Sequence, residues 1–290
     1  MSEHFEIKNS EGLSYLESID SNSVNLVLTD PPYITSRKTG MDEHAKLVKE
    51  CEKNNTDVKT EQDWKDYRTN EEWNDWMKTN KIPEEKKDKE LKKFKKNYLK
   101  YGSIYGKKYA VVTNYGDWDN DFTMEILENF ITHYYRVLQN GGTAIIFFDI
   151  WKITPLKDIM EKAGFKQIRF IEWIKTNPQP LNSSVNYLTN CREIALLGIK
   201  KSKPTFNSKY DNAIYKFPLQ GGKNRFHPTQ KSLPLFEELI KKHSNENDLV
   251  LDTFLGSGTT ALAAKNTNRK FKGCEISEEY YDKILGLMNN

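Results

Sequence analysis

A chain of 290 residues can hold one large core, or a core with an inserted subdomain. Aromatic residues at 12% argue against disorder for most of the length, charged residues at 29% make the chain rather polar, and a formal charge of only +3 does not by itself name a partner. Cys51, Cys191 and Cys274 lack metal or disulfide spacing, and no run reaches the ~18 apolar residues of a membrane span, so a cytoplasmic protein without a metal is expected.

Phe5 to Asn9 reads as a short strand. Leu13, Leu16 and Ile19 follow at helical spacing, before a turn at Asp20-Ser21-Asn22-Ser23. Asn25 to Thr29 is a mostly apolar run, hence a buried strand, and it ends abruptly in Asp30-Pro31-Pro32-Tyr33. Proline has no N–H and cannot continue a central strand, so the chain turns out at the strand's carboxyl end, where open α/β sheets bind ligands. Asp30 offers an acceptor there, the prolines leave nearby carbonyls without local donors, and Tyr33 offers a flat ring. The group suits a planar substrate bearing an amine. A plain proline turn is the alternative, but at ~5% usage per residue this tetrapeptide is rare by chance.

Arg37 to Lys108 differs in kind, being rich in Lys, Glu, Asp and Asn, with Trp64, Tyr67, Trp73 and Trp76 among the charges. Between Lys86 and Lys108 there are ten lysines against two acids. Leu91, Phe94, Tyr98 and Tyr101 form one helical stripe, and the other faces carry Lys92, Lys93, Lys95, Lys96 and Lys100. Two readings stay open, a solvated surface helix and a helix facing nucleic-acid phosphates.

Asp121 to Leu138 reads as a helix capped by Gly141-Gly142, and Thr143 to Phe148 as a second buried strand. A helix near Leu156 to Ala163 precedes strands at Lys166–Ile174 and Glu193–Ile199. Lys200 to Phe226 lacks periodicity. His227-Pro228-Thr229-Gln230-Lys231 then leads into a helix carrying Leu233, Leu235, Phe236, Leu239 and Ile240.

The strand Asp248–Asp252 runs through Phe254 into Gly256-Ser257-Gly258-Thr259-Thr260 and a helix, followed by a strand ending in Glu275 and a closing helix from Glu278. Glycines let a ligand approach the backbone, a helix start points N–H groups at it, and an acid can hold a ribose diol. Ala261 stands where a third glycine would be in a dinucleotide fingerprint, and no P-loop lysine follows. An adenosine ligand without a pyrophosphate, such as S-adenosylmethionine, fits best.

With both sites in view, the chain resembles the DNA amino-methyltransferases, most closely the β class of restriction–modification systems. Asp30-Pro31-Pro32-Tyr33, His227 to Lys231 and Leu251 to Thr260 carry the resemblance; Gly116-Asp117-Trp118-Asp119 and Trp173 to Pro178 are weaker matches. The catalytic tetrapeptide coming first and the glycine turn near the end mark the β class. Thr253, where the family usually has proline, and the long Arg37–Lys108 insertion depart from its pattern.

The resemblance implies an α/β Rossmann-like seven-stranded mixed sheet, with one antiparallel strand near its edge and a charged helical insertion. It implies one methyltransferase domain over residues 1–290, with a helical insertion at 37–110 and an irregular segment at 177–226 as the DNA-recognition elements. The implied reaction is adenine-N6 methylation of DNA with S-adenosyl-L-methionine. Asp30 and the Pro31 carbonyl would accept the N–H bonds of a flipped-out base, with Pro32 and Tyr33 completing the site and Tyr33 stacking on the base.

Asp252, Phe254, Gly256, Ser257, Gly258, Thr259 and Thr260 would line the cofactor. Glu275 would take its ribose, and His227, Thr229 and Lys231 its methionine end. Lys92, Lys93, Lys95, Lys96, Arg37, Lys38, Lys223 and Arg225 would contact DNA. A cognate restriction endonuclease is an expected partner, and the protein would act as a monomer or homodimer. Cytosine-N4 methylation and an inactive DNA-binding scaffold are the alternatives. A protein-glutamine methyltransferase would carry Asn at position 30 and an earlier glycine turn.

Overall fold

The computed structural model describes residues 5–34, 40–70, 73, 74, 76, 79, 80, 83–106, 122–178, 188–221, 227 and 229–288. The chain forms two compact units, residues 1–34 with 118–290, and residues 35–117.

The larger unit is built on strands β1 (Phe5–Asn9), β2 (Val24–Thr29), β3 (Leu138–Phe148), β4 (Lys166–Lys175), β5 (Arg192–Ile199), β6 (Ile214–Phe217), β7 (Leu249–Asp252) and β8 (Lys270–Glu275). They form one sheet in the order β1-β8-β7-β2-β3-β5-β4-β6, in which β5 alone runs against its neighbours β3 and β4. The fold is the Rossmann-like one, with eight strands among the described residues, one more than the seven expected. The additional strand is β6, which pairs with β4 at the sheet edge. It escapes periodicity because it has only four residues, and it follows left-handed backbone at Tyr210 and Ala213.

Alternation along β2 explains the two cores. Leu26 and Leu28 enter a cluster with Ile145, Phe147 and Trp173. Helices α7 (Leu233–His243), α8 (Thr259–Asn266) and α9 (Glu278–Met288) cover that face through Phe236, Ala261 and Ile284. Val24 and Val27 enter the opposite cluster with Ile146 and Phe148. There α1 (Gly12–Glu17), α5 (Met124–Val137) and α6 (Ile153–Ala163) contribute Leu16, Phe130 and Leu156. A strand apolar on both faces is what a helix-covered parallel sheet requires.

Gly141-Gly142 does not cap α5. Leu138 is already extended, so the helix passes straight into β3 and the glycines lie inside that strand. Gly141 has φ +84°, and a Cβ there would meet the Lys203 carbonyl at 2.6 Å.

The second unit holds α2 (Gly40–Asn54), α3 (Glu61–Tyr67) and α4 (Glu84–Tyr101). Thr60 and Asp63 form a reciprocal capping box that starts α3. Trp64, Trp73, Phe94 and Ile104 form a small buried core, with Tyr67, Trp76, Leu91 and Tyr98 packed against it. The aromatic stripe of α4 therefore faces its own unit. No helix among the described residues is long and apolar enough to cross a membrane.

Candidate active site

β2 lies between β3 and β7, with Leu26 beside Val250 and Val27 beside Leu251, so Asp30 and Asp252 emerge from neighbouring strand ends. Their carboxylates have different surroundings. Asp252 is 2% exposed and fully engaged: Oδ1 accepts from Thr29 Oγ1 at 2.6 Å and from the Phe254 N–H at 3.0 Å, and Oδ2 accepts from Thr260 Oγ1 at 2.5 Å. It ties β2, the glycine turn and α8 together.

Asp30 is held on one side only. Lys231 Nζ lies 2.8 Å from its Oδ2, whereas Oδ1 is buried with no hydrogen-bond partner among the described residues. Burial pushes the Asp30 carboxyl up to about 6 against the pull of Lys231.

Pro31 is buried, and Tyr33 packs edge-on to Phe148 at 6.0 Å between ring centroids. Lys231 Nζ also lies 5.4 Å from the Tyr33 ring centroid and 3.5 Å from its hydroxyl. Lys231, expected beside the methionine end of a cofactor, thus stands against Asp30 and Tyr33, because it enters two residues before α7 packs beneath the sheet. Its remaining partner is Glu193 Oε2 at 2.6 Å, and Glu193 Oε1 in turn meets Lys175 Nζ at 2.7 Å. Sequence reasoning misses Glu193. The available signal is a lone acid opening the apolar strand Ile194–Ile199, directly across from Trp173 on β4.

The second pocket follows β7. Gly256 and Gly258 have φ +52° and +73°, in the left-handed region. A Cβ on Gly258 would come within 3.0 Å of Ile284, and one on Gly256 within 3.5 Å of the His227 ring. Gly258 starts α8 with no side chain capping its first turn, which leaves a polar cradle of backbone N–H groups.

Ser257 and Thr259 join hydroxyls at 2.9 Å, and Phe254 packs on Phe130 and Phe122. Glu275 ends β8 and accepts one backbone N–H on each oxygen, from Gly256 at 2.7 Å and Ser277 at 2.9 Å. Lone pairs remain on both for a diol. His227 lies edge-on to Tyr280 at 4.6 Å, and its Nδ1 is 3.1 Å from Thr229 Oγ1.

In the smaller unit, Lys92, Lys93 and Lys96 are exposed, and Lys95 pairs with Glu61 at 2.7 Å. Lys92, Lys95, Lys96 and Lys100 line one concavity with Asp57 and Leu99. Arg37, Lys38, Gly116 to Asp119, Lys223 and Arg225 lie outside the described residues.

Comparison with known proteins places the chain in a family. The DNA methylase model of N6 and N4 methyltransferases matches residues 24–286. Type II methyltransferase M2.DpnII of Streptococcus pneumoniae is 33% identical over 205 residues, 63% of this chain and 75% of its own. M2.LlaDCHI of Lactococcus lactis subsp. cremoris is 33% identical over 184 residues, 57% of this chain and 68% of its own.

Two solved structures share the fold. The M1.HpyAVI–SAM complex is 24% identical with a TM-score of 0.59, covering 99% of this chain and 100% of that one. The cytosine-N4-specific PvuII DNA methyltransferase is 16% identical with a TM-score of 0.62, covering 98% and 86%. With well over half of its length inside the match, this chain belongs to the N6/N4 DNA methylase family.

Proposed function

We propose that the protein is a site-specific adenine-N6 methyltransferase that uses S-adenosylmethionine to modify an adenine turned out of DNA, within a restriction–modification system. The observation that supports this most is the buried Oδ1 of Asp30, without a partner among the described residues, at the end of a central strand and beside an aromatic ring. The exocyclic amine of a planar base is a donor of the right kind.

Such an amine is a weak nucleophile because its lone pair is delocalised into the ring. Accepting its two N–H bonds, at Asp30 Oδ1 and the Pro31 carbonyl, localises that lone pair. Prolines fix the turn, so the two acceptors need no reorganisation. Tyr33 offers a stacking surface to a base that has left the duplex.

The glycine turn fits the cofactor: two left-handed glycines, an uncapped helix start, and a Glu275 carboxylate with lone pairs to spare. S-adenosylmethionine, when bound, supplies the sulfonium methyl group. Gly256 to Thr260, Phe254, Glu275, His227 and Thr229 would hold it, with Asp252 fixing the turn from below.

DNA recognition is assigned to residues 37–110, on the strength of the exposed lysines of α4, and to the irregular segment 177–226, from its sequence alone. A cognate endonuclease reading the same sequence is the expected partner, and the protein works in the cytoplasm, as a monomer or homodimer. Cytosine N4 presents the same kind of amine, and an aspartate rather than a serine at position 30 favours adenine.

The test is Asp30→Ala. Methyl transfer to DNA should fall roughly 100- to 1000-fold, the cost of losing one preorganised polar partner of the reacting group. Cofactor binding by calorimetry should be unchanged. A variant that keeps the full rate would overturn the assignment.

A further inference from the structure

Methyl transfer as described needs Asp30, yet three further charges stand behind that side chain. Lys175 Nζ lies 2.7 Å from Glu193 Oε1, Glu193 Oε2 lies 2.6 Å from Lys231 Nζ, and Lys231 Nζ lies 2.8 Å from Asp30 Oδ2. The four side chains, from Lys175 through Glu193 and Lys231 to Asp30, are 14%, 17%, 7% and 19% exposed. Signs alternate from the end of β4, through the start of β5, to the turn after β2. Apolar residues of similar volume would pack such a region at least as stably, so buried ion pairs are weak evidence for a stabilising role. The arrangement also has a directional outcome: Oδ2 is tied and Oδ1 is left open.

We propose that Glu193, anchored by Lys175, is a positioning residue for methyl transfer: it pins Lys231 against Oδ2 of Asp30, so that the carboxylate presents only Oδ1 to the amine, while Lys231 itself favours the ionised form. This rests on the reading of Asp30 given above. An ionised carboxylate is a pure acceptor, whereas a protonated one would offer a competing O–H. Lys231 favours the ionised form; Glu193 and, from β7, Asp252 oppose it, and Tyr33 lies on the same turn. Glu193 itself resists ionisation through burial, but Lys231 and Lys175 outweigh that and hold it below the usual carboxylate range. The cluster is therefore balanced, and each substitution should tip it in a defined direction.

The experiment is a pH profile of single-turnover methyl transfer to duplex DNA, with cofactor binding measured alongside. The acid limb of the unaltered protein should lie near pH 6, where burial places Asp30. Lys231→Met should move that limb upward by about one pH unit or more, with partial recovery at alkaline pH. Glu193→Gln, which removes the charge that opposes Asp30 ionisation, should move it downward while the plateau rate falls. Lys175→Met touches neither Asp30 nor the amine; it should move the limb upward by less, and it keeps the test open if the Lys231 variant does not fold.

Limbs that coincide in all variants, or shifts of Lys231→Met and Glu193→Gln in the same direction, would overturn the positioning role. A wild-type protein that methylates no DNA would instead overturn the underlying functional reading.

Discussion

Besides Glu193, three carboxylates stand at the carboxyl edge of the sheet, and their partners divide them by task. Asp252 accepts from two threonine hydroxyls and one backbone N–H, and Glu275 from two backbone N–H groups. Both brace the glycine turn. Of these three carboxylates, Asp30 alone keeps a buried oxygen unpartnered among the described residues.

Thr253 shows the same logic in a residue that departs from the family pattern. Its hydroxyl lies 2.6 Å from that of Tyr134, which is fully buried on α5, and this joins the helix to the turn. Tyr134→Phe would strand the Thr253 hydroxyl. Stability in urea should fall by about 1–3 kcal/mol, the cost of a buried polar group without a partner. A decrease under ~0.5 kcal/mol, the smallest net value of an ordinary hydrogen bond, would show that the pair contributes nothing.

At the scale of elements, the reversed strand β5 matters most to the site. Running against β3 and β4, it brings its first residues to the edge where the parallel strands end, and so delivers Glu193 to Lys231 and Lys175. The helix α4 divides its faces cleanly, aromatic residues inward and lysines outward. If those lysines meet phosphates, replacing Lys92, Lys96 and Lys100 with glutamine weakens DNA binding with little dependence on sequence. The slope of log affinity against log salt should drop by about 0.9 for each phosphate that is no longer neutralised. An unchanged slope would return α4 to the role of a solvated surface helix.

For the whole molecule, the frame and the turns that end β2 and β7 are legible in the chain because their signals are local. Asp30-Pro31-Pro32-Tyr33 breaks a strand visibly, and Gly256 and Gly258 mark left-handed backbone that other residues avoid. What stays hidden depends on distant pairing. Glu193 acquires its role only when β5 pairs with β4 and Lys231 arrives from 38 positions later. For the same reason the sequence does not show that Lys231 comes to stand against Asp30. β6 is too short for a period to show, and Gly141-Gly142 suits a helix end as well as a strand irregularity; only the immediate entry of α5 into β3 decides it.

Methylation of a DNA-base amine at Asp30 is most directly read by incubating the protein with isotope-labelled S-adenosylmethionine and unmodified genomic DNA, digesting the DNA to nucleosides and identifying the labelled base by mass spectrometry. Labelled N6-methyladenine is expected. Label on cytosine N4 would keep the fold and both pockets but contradict the base assignment. No label on double- or single-stranded DNA, with the cofactor demonstrably bound, would contradict the account itself.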